Sequence, residues 1–595
     1  MKKNKLWKTC TNILVVLVLV IKFVACEGDT FNTSNDIDGF KSIKNICVDQ
    51  HMNIVHSDNI ESFSKGKLVA CASYYESEGW HNFNVENTQD NSVSNKLLAF
   101  SAGILEGYVY HQMIDYHYTN IFSTIMNKDN FSNKTLEYVY NQYKYIEDRV
   151  DYNESQEDRI YSADKSQFLS QSQIEYQETL TLIVNQHKGM YHGYQLASSG
   201  KEKILSKNEF YLLTMQGDLE DILIAFDSDR FDGKTWKKDK DCSGFVKYVK
   251  DTKNLIVGHN THNHYSLMNR IYKNYKLNFV MSNGKSLNNM KFSSRPGDLN
   301  SKDDYYILSN NMVVIETSLE VVDLSIYKNL RYDTLPKWIR VNIANRLAQN
   351  NLEWINLFFE QNSGTHNNQW LIVDYNKFNE YTSHINKKKS SMLKFLYDFN
   401  SLFSEFDYDL LQASKGNHGS DFEGGFHPKD IVHIVEQTPN LDKKYYKDMS
   451  DVLMDQSYVA SYNSPFFEDV IKDMGYSEPP YNNHDYFHAR RFFLFNQLQA
   501  NVTDINSAKE VMRFHSKEDI CDTIGARCDM IKKIPFGAVD VKITDSQLMK
   551  HGQTSEIIFG PPFLPGVSLP FDFRDFPNVS HEGIPDRIEF KWIYA

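Results

Sequence analysis

The pattern of apolar residues changes character at Cys242, and no single type of secondary structure accommodates both sides of that change. Ahead of it, Asn95 to Asp115, residues 168–200 and residues 209–226 are apolar segments of helical length, the first containing the small-residue stretch Ser101-Ala102-Gly103. After it, Cys242 to Tyr248, Asn254 to Gly258, Tyr305 to Leu308 and Met312 to Leu319 are β-branched or aromatic runs bounded by turn residues, as strands are. Lys67 to Tyr75 and Gly79 to Val85 also alternate like strands, while Leu335 to Gln349 and Leu352 to Gln361 return to helical patterns. Such a mixture, without strict β-α-β alternation, predicts a layered α+β fold. Residues 27–60 lack strong periodicity and read as an extended lead-in. The acidic stretch from Glu147 to Gln167 reads as a solvated loop or the polar face of a helix.

The first residues form a targeting pattern. Lys2, Lys3, Lys5 and Lys8 precede an apolar run from Ile13 to Ile21, and Ala25 and Cys26 supply a small-residue cleavage site, so residues 1–26 read as a signal peptide. The apolar run stops at Lys22, short of the roughly 20 residues that a membrane span needs. Sequons at Asn32, Asn130, Asn133, Asn153, Asn501 and Asn578 become usable on that secretory route, leading to a lysosome-like compartment or to secretion. Of seven cysteines, Cys10 and Cys26 belong to the leader, which leaves an odd number: Cys47, Cys71, Cys242, Cys521 and Cys528. Cys521 and Cys528 are close enough to close a small loop and Cys47 with Cys71 is a second pairing, with the connectivity left open by sequence. An odd count in an oxidising compartment leaves one thiol over, and Cys242 is the isolated one.

A net charge of -13, with no stripe of Lys and Arg, excludes a nucleic-acid partner and argues against stable residence on an anionic membrane. The chain carries 20 His, whose protonation in an acidic compartment weakens the second objection.

The chemistry centres on Asp239-Lys240-Asp241-Cys242-Ser243-Gly244. Cutting between Asp241 and Cys242 would leave a thiol and an α-amine on one residue. The amine, with a reference pKa of about 7.7 to 8.0, can relay the proton of a thiol near 8.5, so the nucleophile carries its own base. The competing reading is an inert core thiol. Downstream, His259, His262 and His264 stand at i, i+3 and i+5, but one strand or helix cannot turn all three to one side and no fixed fourth ligand accompanies them, so no metal is expected. His259 is better used as a polar partner of Cys242. Two Asn-containing segments, Asn362 to Trp370 and Ser461 to Phe467, offer neutral amide donors for an oxyanion, although each alone is more often turn chemistry. Arg490 and Arg491, by themselves, read as surface charges.

Taken together these segments resemble consecutive blocks of the phospholipase B-like family. The match runs through Cys242-Ser-Gly-Phe-Val-Lys247, Gly258-His-Asn-Thr261, Met268-Asn-Arg-Ile-Tyr-Lys273, Phe292 to Leu299, Ser301 to Tyr305 and Ala344 to Ala348. It continues through Asn362 to Trp370, Tyr462-Asn463, Met512-Arg513, Val539 to Lys542 and His581 to Asp586, nearly the whole mature chain. The resemblance implies a four-layer αββα sandwich of the N-terminal-nucleophile hydrolase type. The precursor would cut itself between Asp241 and Cys242, and fragments 27–241 and 242–595 would then form one domain. It also implies that Cys242 is the nucleophile, Asn463 an oxyanion donor, and His259, Thr317 and Arg490 polar residues that orient the α-amine or the substrate. The loop at Asn367 would give support.

Three departures from the family pattern stand out. His262 replaces the Trp that usually follows Gly-His-Asn-Thr, removing apolar surface from the pocket. The basic pair expected before Asp-Gln is Leu494-Phe495 before Asn496-Gln497, so the Arg assignment is open by one or two positions around Arg490. Asp241, rather than a small residue, precedes the nucleophile. The implied activity is hydrolysis of acyl ester bonds of lipids without a cofactor, at a membrane surface visited only transiently to reach substrate. The alternatives are an amidase acting on N-acyl amines or peptides and a catalytically weak glycoprotein that binds.

Overall fold

The computed structural model describes residues 43–56, 68–88, 92–160, 170–228, 242–385, 427–482, 484–516 and 521–595. The leader, Asn32, Asp241 and the side chain of Asn153 lie outside what it describes.

Strand-forming runs supply two large sheets. The first contains β1 (Lys44–Asp49), β2 (Ile54–His56), β3 (Leu68–Ser77), β4 (Trp80–Asn87), β7 (Ile271–Lys276), β8 (Met290–Ser294), β9 (Tyr305–Leu308), β10 (Met312–Ser318), β11 (Asn368–Asp374), β12 (Val432–Glu436) and β13 (Tyr445–Asp448). Its eleven strands lie in the order β13-β12-β11-β10-β9-β8-β7-β4-β3-β1-β2. The second contains β5 (Ser243–Val249), β6 (Asn254–His264), β14 (Tyr458–Ser461), β15 (Phe536–Asp545), β16 (Glu556–Phe559) and β19 (Ile593–Tyr594), in the order β14-β5-β6-β15-β16-β19. Two short strands, β17 (Phe571–Asp572) and β18 (Arg587–Ile588), pair separately. Within the first sheet β4 and β7 run parallel, joining chain from before Cys242 to chain after it.

The described helices before Cys242 are α1 (Asn95–Val109), α2 (His111–Asn120), α3 (Asn133–Ile160), α4 (Gln171–Ala197), α5 (Lys207–Thr214) and α6 (Gln216–Asp227); the apolar spacing anticipates all but α3. Later come α7 (Lys337–Leu347), α8 (Asn351–Phe359), α9 (Arg490–Leu498) and α10 (Ile505–Met512). Strand alternation decides which core each side chain joins. On β10 and β11, Val314, Trp370 and Ile372 pack with residues of α1, α4, α7 and α8 such as Leu105, Ile183, Ile339 and Phe358. Their neighbours Val313, Ile315, Leu371 and Val373 pack with Phe245, Val257, Val459 and Val541 of the second sheet, a cluster that also takes in Phe495 of α9 and Met512 of α10.

Several expectations change in detail. The lead-in supplies β1 and β2, and Cys47 lies opposite Cys71 in the β1–β3 register, where the two form a disulfide. Cys521 and Cys528 form the other. Residues 95–115 are two helices that break at Tyr110, and residues 207–227 break at Met215. The acidic stretch is helical as far as Ile160. Strand β6 runs on to His264 because the second sheet covers both of its edges, β5 on one side and β15 on the other. No described helix is long and apolar enough to cross a membrane.

Candidate active site

Cys242 stands at the head of β5, every residue of which is buried, and takes part in neither disulfide. Its residue is 2% exposed and its φ is 82°, a left-handed value that a residue with a Cβ adopts only at a cost. Gly244, two residues on, lets β5 approach the first sheet closely: a Cβ there would lie 3.1 Å from Ile315 Cδ1 and 3.5 Å from Ser461 Cβ.

One guanidinium ties this end of β5 to the loop after β14. Arg491 donates from Nη1 to the carbonyl of Cys242 at 2.5 Å and to Ser243 Oγ at 3.0 Å, and from Nη2 to Asn463 Oδ1 at 2.6 Å. Its Nε lies 3.4 Å from Asp522 Oδ1. A planar fork of donors can hold a carbonyl and an amide in one frame, which a point charge cannot. Arg491 is buried on α9, whereas Arg490 is exposed. The structure therefore corrects the position: the arginine beside Cys242 is Arg491, because consecutive helical residues point about 100° apart.

Asn463 has φ 66°, which Asn tolerates better than most residues. Its Nδ2 donates to the Ser318 carbonyl at 2.8 Å and its backbone N–H to Thr317 Oγ1 at 3.1 Å. Thr317 Oγ1 and Ser461 Oγ are 2.6 Å apart, and Ser461 donates to Gln369 Oε1 at 2.7 Å. Since the Ser461 proton is committed to Gln369, Ser461 accepts the proton of Thr317, and the hydroxyls point one way. Gln369 Nε2 then donates to Glu436 Oε1 at 2.6 Å and to the Ser464 carbonyl at 2.9 Å. Burial pushes the Glu436 carboxyl up to about 7 against the backbone N–H of Phe466 and the amide of Gln369. Thr317 thus shapes the Asn463 turn through a directed chain that ends on a buried carboxyl.

His259 lies opposite Gly244 on β5 and Lys542 on β15. Its Nε2 is 2.7 Å from the Glu316 carbonyl, which can only accept, so Nε2 carries the proton and Nδ1 is a buried lone pair without a hydrogen-bond partner. Burial, with Lys542 nearby, holds the ring far below the usual histidine range, so it is neutral. Beside it lies a buried charge network: Lys542 bonds Asp540 Oδ1 at 2.6 Å and Thr261 Oγ1 at 2.5 Å, and Arg270 bridges Asp540 at 2.8 Å and Asp303 at 2.5 Å. Although burial opposes it, the charges of Asp540 and Asp303 favour the Arg270 cation. His262 is turned to the Ile524 carbonyl at 2.8 Å, and His264 to Ser266 Oγ at 2.7 Å, so the three imidazoles of β6 diverge. Asn367 donates to Asp221 Oδ2 at 3.1 Å and the Gly364 carbonyl at 3.0 Å, while its own carbonyl accepts from Leu319 N at 2.8 Å, just past the end of β10.

Two described groups have ligand atoms close enough together to hold a metal: Asp304, Glu316 and His366, all buried, and Asp430, His433 and Asp448. In the first, the Lys337 ammonium already pairs with Asp304, and burial raises both the Asp304 and Glu316 carboxyls, a setting that suits a shared proton between them. Of the six sequons, Asn130, Asn133, Asn501 and Asn578 are described in full, and all four are exposed.

Sequence reasoning passed over Arg491 as a site residue, as well as Ser461, Gln369 and Glu436. The signal for the last three is a polar residue in a mostly apolar, wholly buried strand: Ser461 ends β14, Gln369 follows Asn368 in β11, and Glu436 ends β12.

The phospholipase B family model matches residues 70–595. Phospholipase B-like protein G of Dictyostelium discoideum is 28% identical over 588 residues, covering 91% of this chain and 88% of that protein. Human phospholipase B-like 1 is 27% identical, covering 84% of this chain and 82% of its own. The phospholipase B of Crotalus adamanteus is 26% identical, covering 87% and 86%.

Proposed function

The chain belongs to the phospholipase B family, and from that premise we propose that it is an N-terminal-nucleophile hydrolase that removes fatty-acyl groups from glycerophospholipids through Cys242. The observation that carries this reading is the left-handed φ of Cys242 with its carbonyl gripped by Arg491. The φ rotation is defined by the carbonyl carbon of residue 241. Cutting the 241–242 bond abolishes that dihedral and releases a strain of about 1–3 kcal/mol.

In the precursor, the Cys242 thiol attacks the Asp241 carbonyl, the acyl group moves from nitrogen to sulfur, and water hydrolyses the thioester to leave a free α-amine. In turnover, the amine takes the thiol proton as sulfur attacks the ester carbonyl, and the oxyanion is stabilised by the Asn463 amide. Collapse expels the alcohol, which takes the proton, and water then hydrolyses the acyl-Cys242 thioester. Arg491 keeps Cys242 and Asn463 in register, the Thr317–Glu436 chain holds the Asn463 turn, and neutral His259 supplies an acceptor beside the charge network.

The packing of helices on one face of the first sheet and of the second sheet on its other face, with α9 and α10 beyond, supports the four-layer αββα reading. The β4–β7 pairing supports fragments 27–241 and 242–595 as one domain. The two disulfides and the four exposed sequons support passage through an oxidising secretory compartment.

N-terminal sequencing and intact mass of the mature protein test the mechanism. A fragment beginning at Cys242, absent from a Cys242→Ala variant, is expected, together with release of fatty acid from phospholipid by the cut form alone. A mature chain left uncut at this bond overturns it. A cut form that hydrolyses N-acyl amines and not phospholipids makes the protein an amidase.

A further inference from the structure

The aromatic residues around α9 form a path from the core to the surface. Inside, Phe245 of β5 stacks on Phe495 at 5.2 Å between ring centres, and Tyr462 lies 6.1 Å from Phe495 and 4.8 Å from Tyr486. From Tyr486 the contacts run outward to Phe492 at 6.2 Å and Phe466 at 5.2 Å, then from Phe492 to Phe487 at 5.8 Å and Phe493 at 5.4 Å. The path ends in water: Phe487 is 53% exposed and Phe493 59%. Phe487 and Phe493 both touch Phe492, so the two exposed rings share one aromatic base, an apolar patch of the kind that serves as an interaction surface.

Its surroundings point to the partner. The Lys447 ammonium lies 5.4 Å from the centre of the Phe466 ring, Arg490 is exposed at the start of α9, and His484 and His488 are exposed between them in sequence. Asp485 is engaged by His488 Nδ1 at 2.7 Å, and the exposed acids Glu468 and Asp469 follow Phe467. In a chain of net charge -13, this local interleaving of aromatic rings with cationic side chains is what a phospholipid interface takes: rings at the level of the headgroups, cations on the phosphates.

We propose that Phe487, Phe493, Lys447 and Arg490 form a docking surface for a lipid bilayer containing anionic phospholipid. The proposal deepens the lipid-hydrolase reading, since Arg491, next to Arg490 on α9, holds the carbonyl of Cys242. A docked α9 therefore fixes the nucleophile relative to the bilayer. Binding itself needs no catalysis.

The test uses the full mature protein at acidic pH, where its net negative charge is smaller, and sedimentation with vesicles of phosphatidylcholine alone or with phosphatidylserine. The wild type is expected to pellet with the anionic vesicles. A Phe487→Ser/Phe493→Ser double variant should bind about fivefold less or weaker still, while keeping its melting midpoint and its rate on a water-soluble short-chain ester. Lys447→Gln should weaken binding to the anionic vesicles and leave the neutral ones unaffected. A wild type that binds neither vesicle, or a folded double variant that binds as well as the wild type, overturns the proposal. So does a wild-type dimer in light scattering that the double substitution splits, which would make the patch a protein interface. Vesicle binding without turnover of any ester would sink the hydrolase reading and leave the docking surface standing.

Discussion

At the scale of single residues, Arg490 and Arg491 are chemically identical and adjacent, yet one faces solvent and the other makes three hydrogen bonds within the site. Lysine in place of Arg491 has one charged nitrogen and cannot reach both the Cys242 carbonyl and the Asn463 amide. Arg491→Lys is therefore expected to lower the rate of acyl hydrolysis about a hundredfold, and Arg490→Lys to leave it within about twofold, both measured on protein whose thermal midpoint has been checked. Cys242 was legible in the sequence because an odd thiol before a strand is chemically singular. Arg491 was not, because the phase of a helix relative to a strand almost 250 residues away has no local signature. The polar chain from Thr317 to Glu436 was hidden for a similar reason: its members come from four separate segments.

At the scale of elements, the small-residue stretch in α1 has a sharper meaning than apolarity. Gly103 and Gly107 of α1 face Gly189 and Gly193 of α4, and the helices touch backbone to backbone: a Cβ on Gly103 would lie 2.0 Å from the Gln186 carbonyl oxygen. Gly103→Ala should force the helices apart and lower the unfolding free energy by about 1–3 kcal/mol in urea titration, despite alanine's better helix propensity. The existence of these helices was legible from spacing, while their breaks at Tyr110 and Met215 carry no proline or glycine stop at the break itself. Strand alternation accounts for His259 lying on the opposite side of β6 from His262 and His264, whereas those two share a side and are separated only by their partners, the Ile524 carbonyl and Ser266.

At the scale of the whole molecule, burial sets the response to pH. Asp221, Asp298 and Glu436 are each pushed up to about 7 by burial. The folded protein therefore holds protons that the unfolded chain has released, and this stabilisation is lost as pH rises through about 7. Burial lowers His187 to about 3 and His264 and His515 to about 4; their contribution is present above the unfolded value near 6.5 and lost below it. Between about pH 6.5 and about pH 7.5 the two sets oppose each other, the carboxyl contribution falling while the last of the histidine contribution is gained, so the test is a difference between proteins: Glu436→Gln lacks one falling contribution, and its melting midpoint should rise relative to the parent's across that interval. A difference between the two midpoints that stays constant with pH would contradict the raised Glu436 carboxyl. By itself the sequence determined the family, most of the strand and helix segments and the singular cysteine, because each is written in local spacing or in ordered motifs. Only the tertiary structure decided which arginine meets Cys242, how Asn463 is held and which aromatic rings stay in water. Those outcomes depend on register and packing between segments hundreds of residues apart, where many apolar strands offer the same alternating pattern and only the assembled core selects among them.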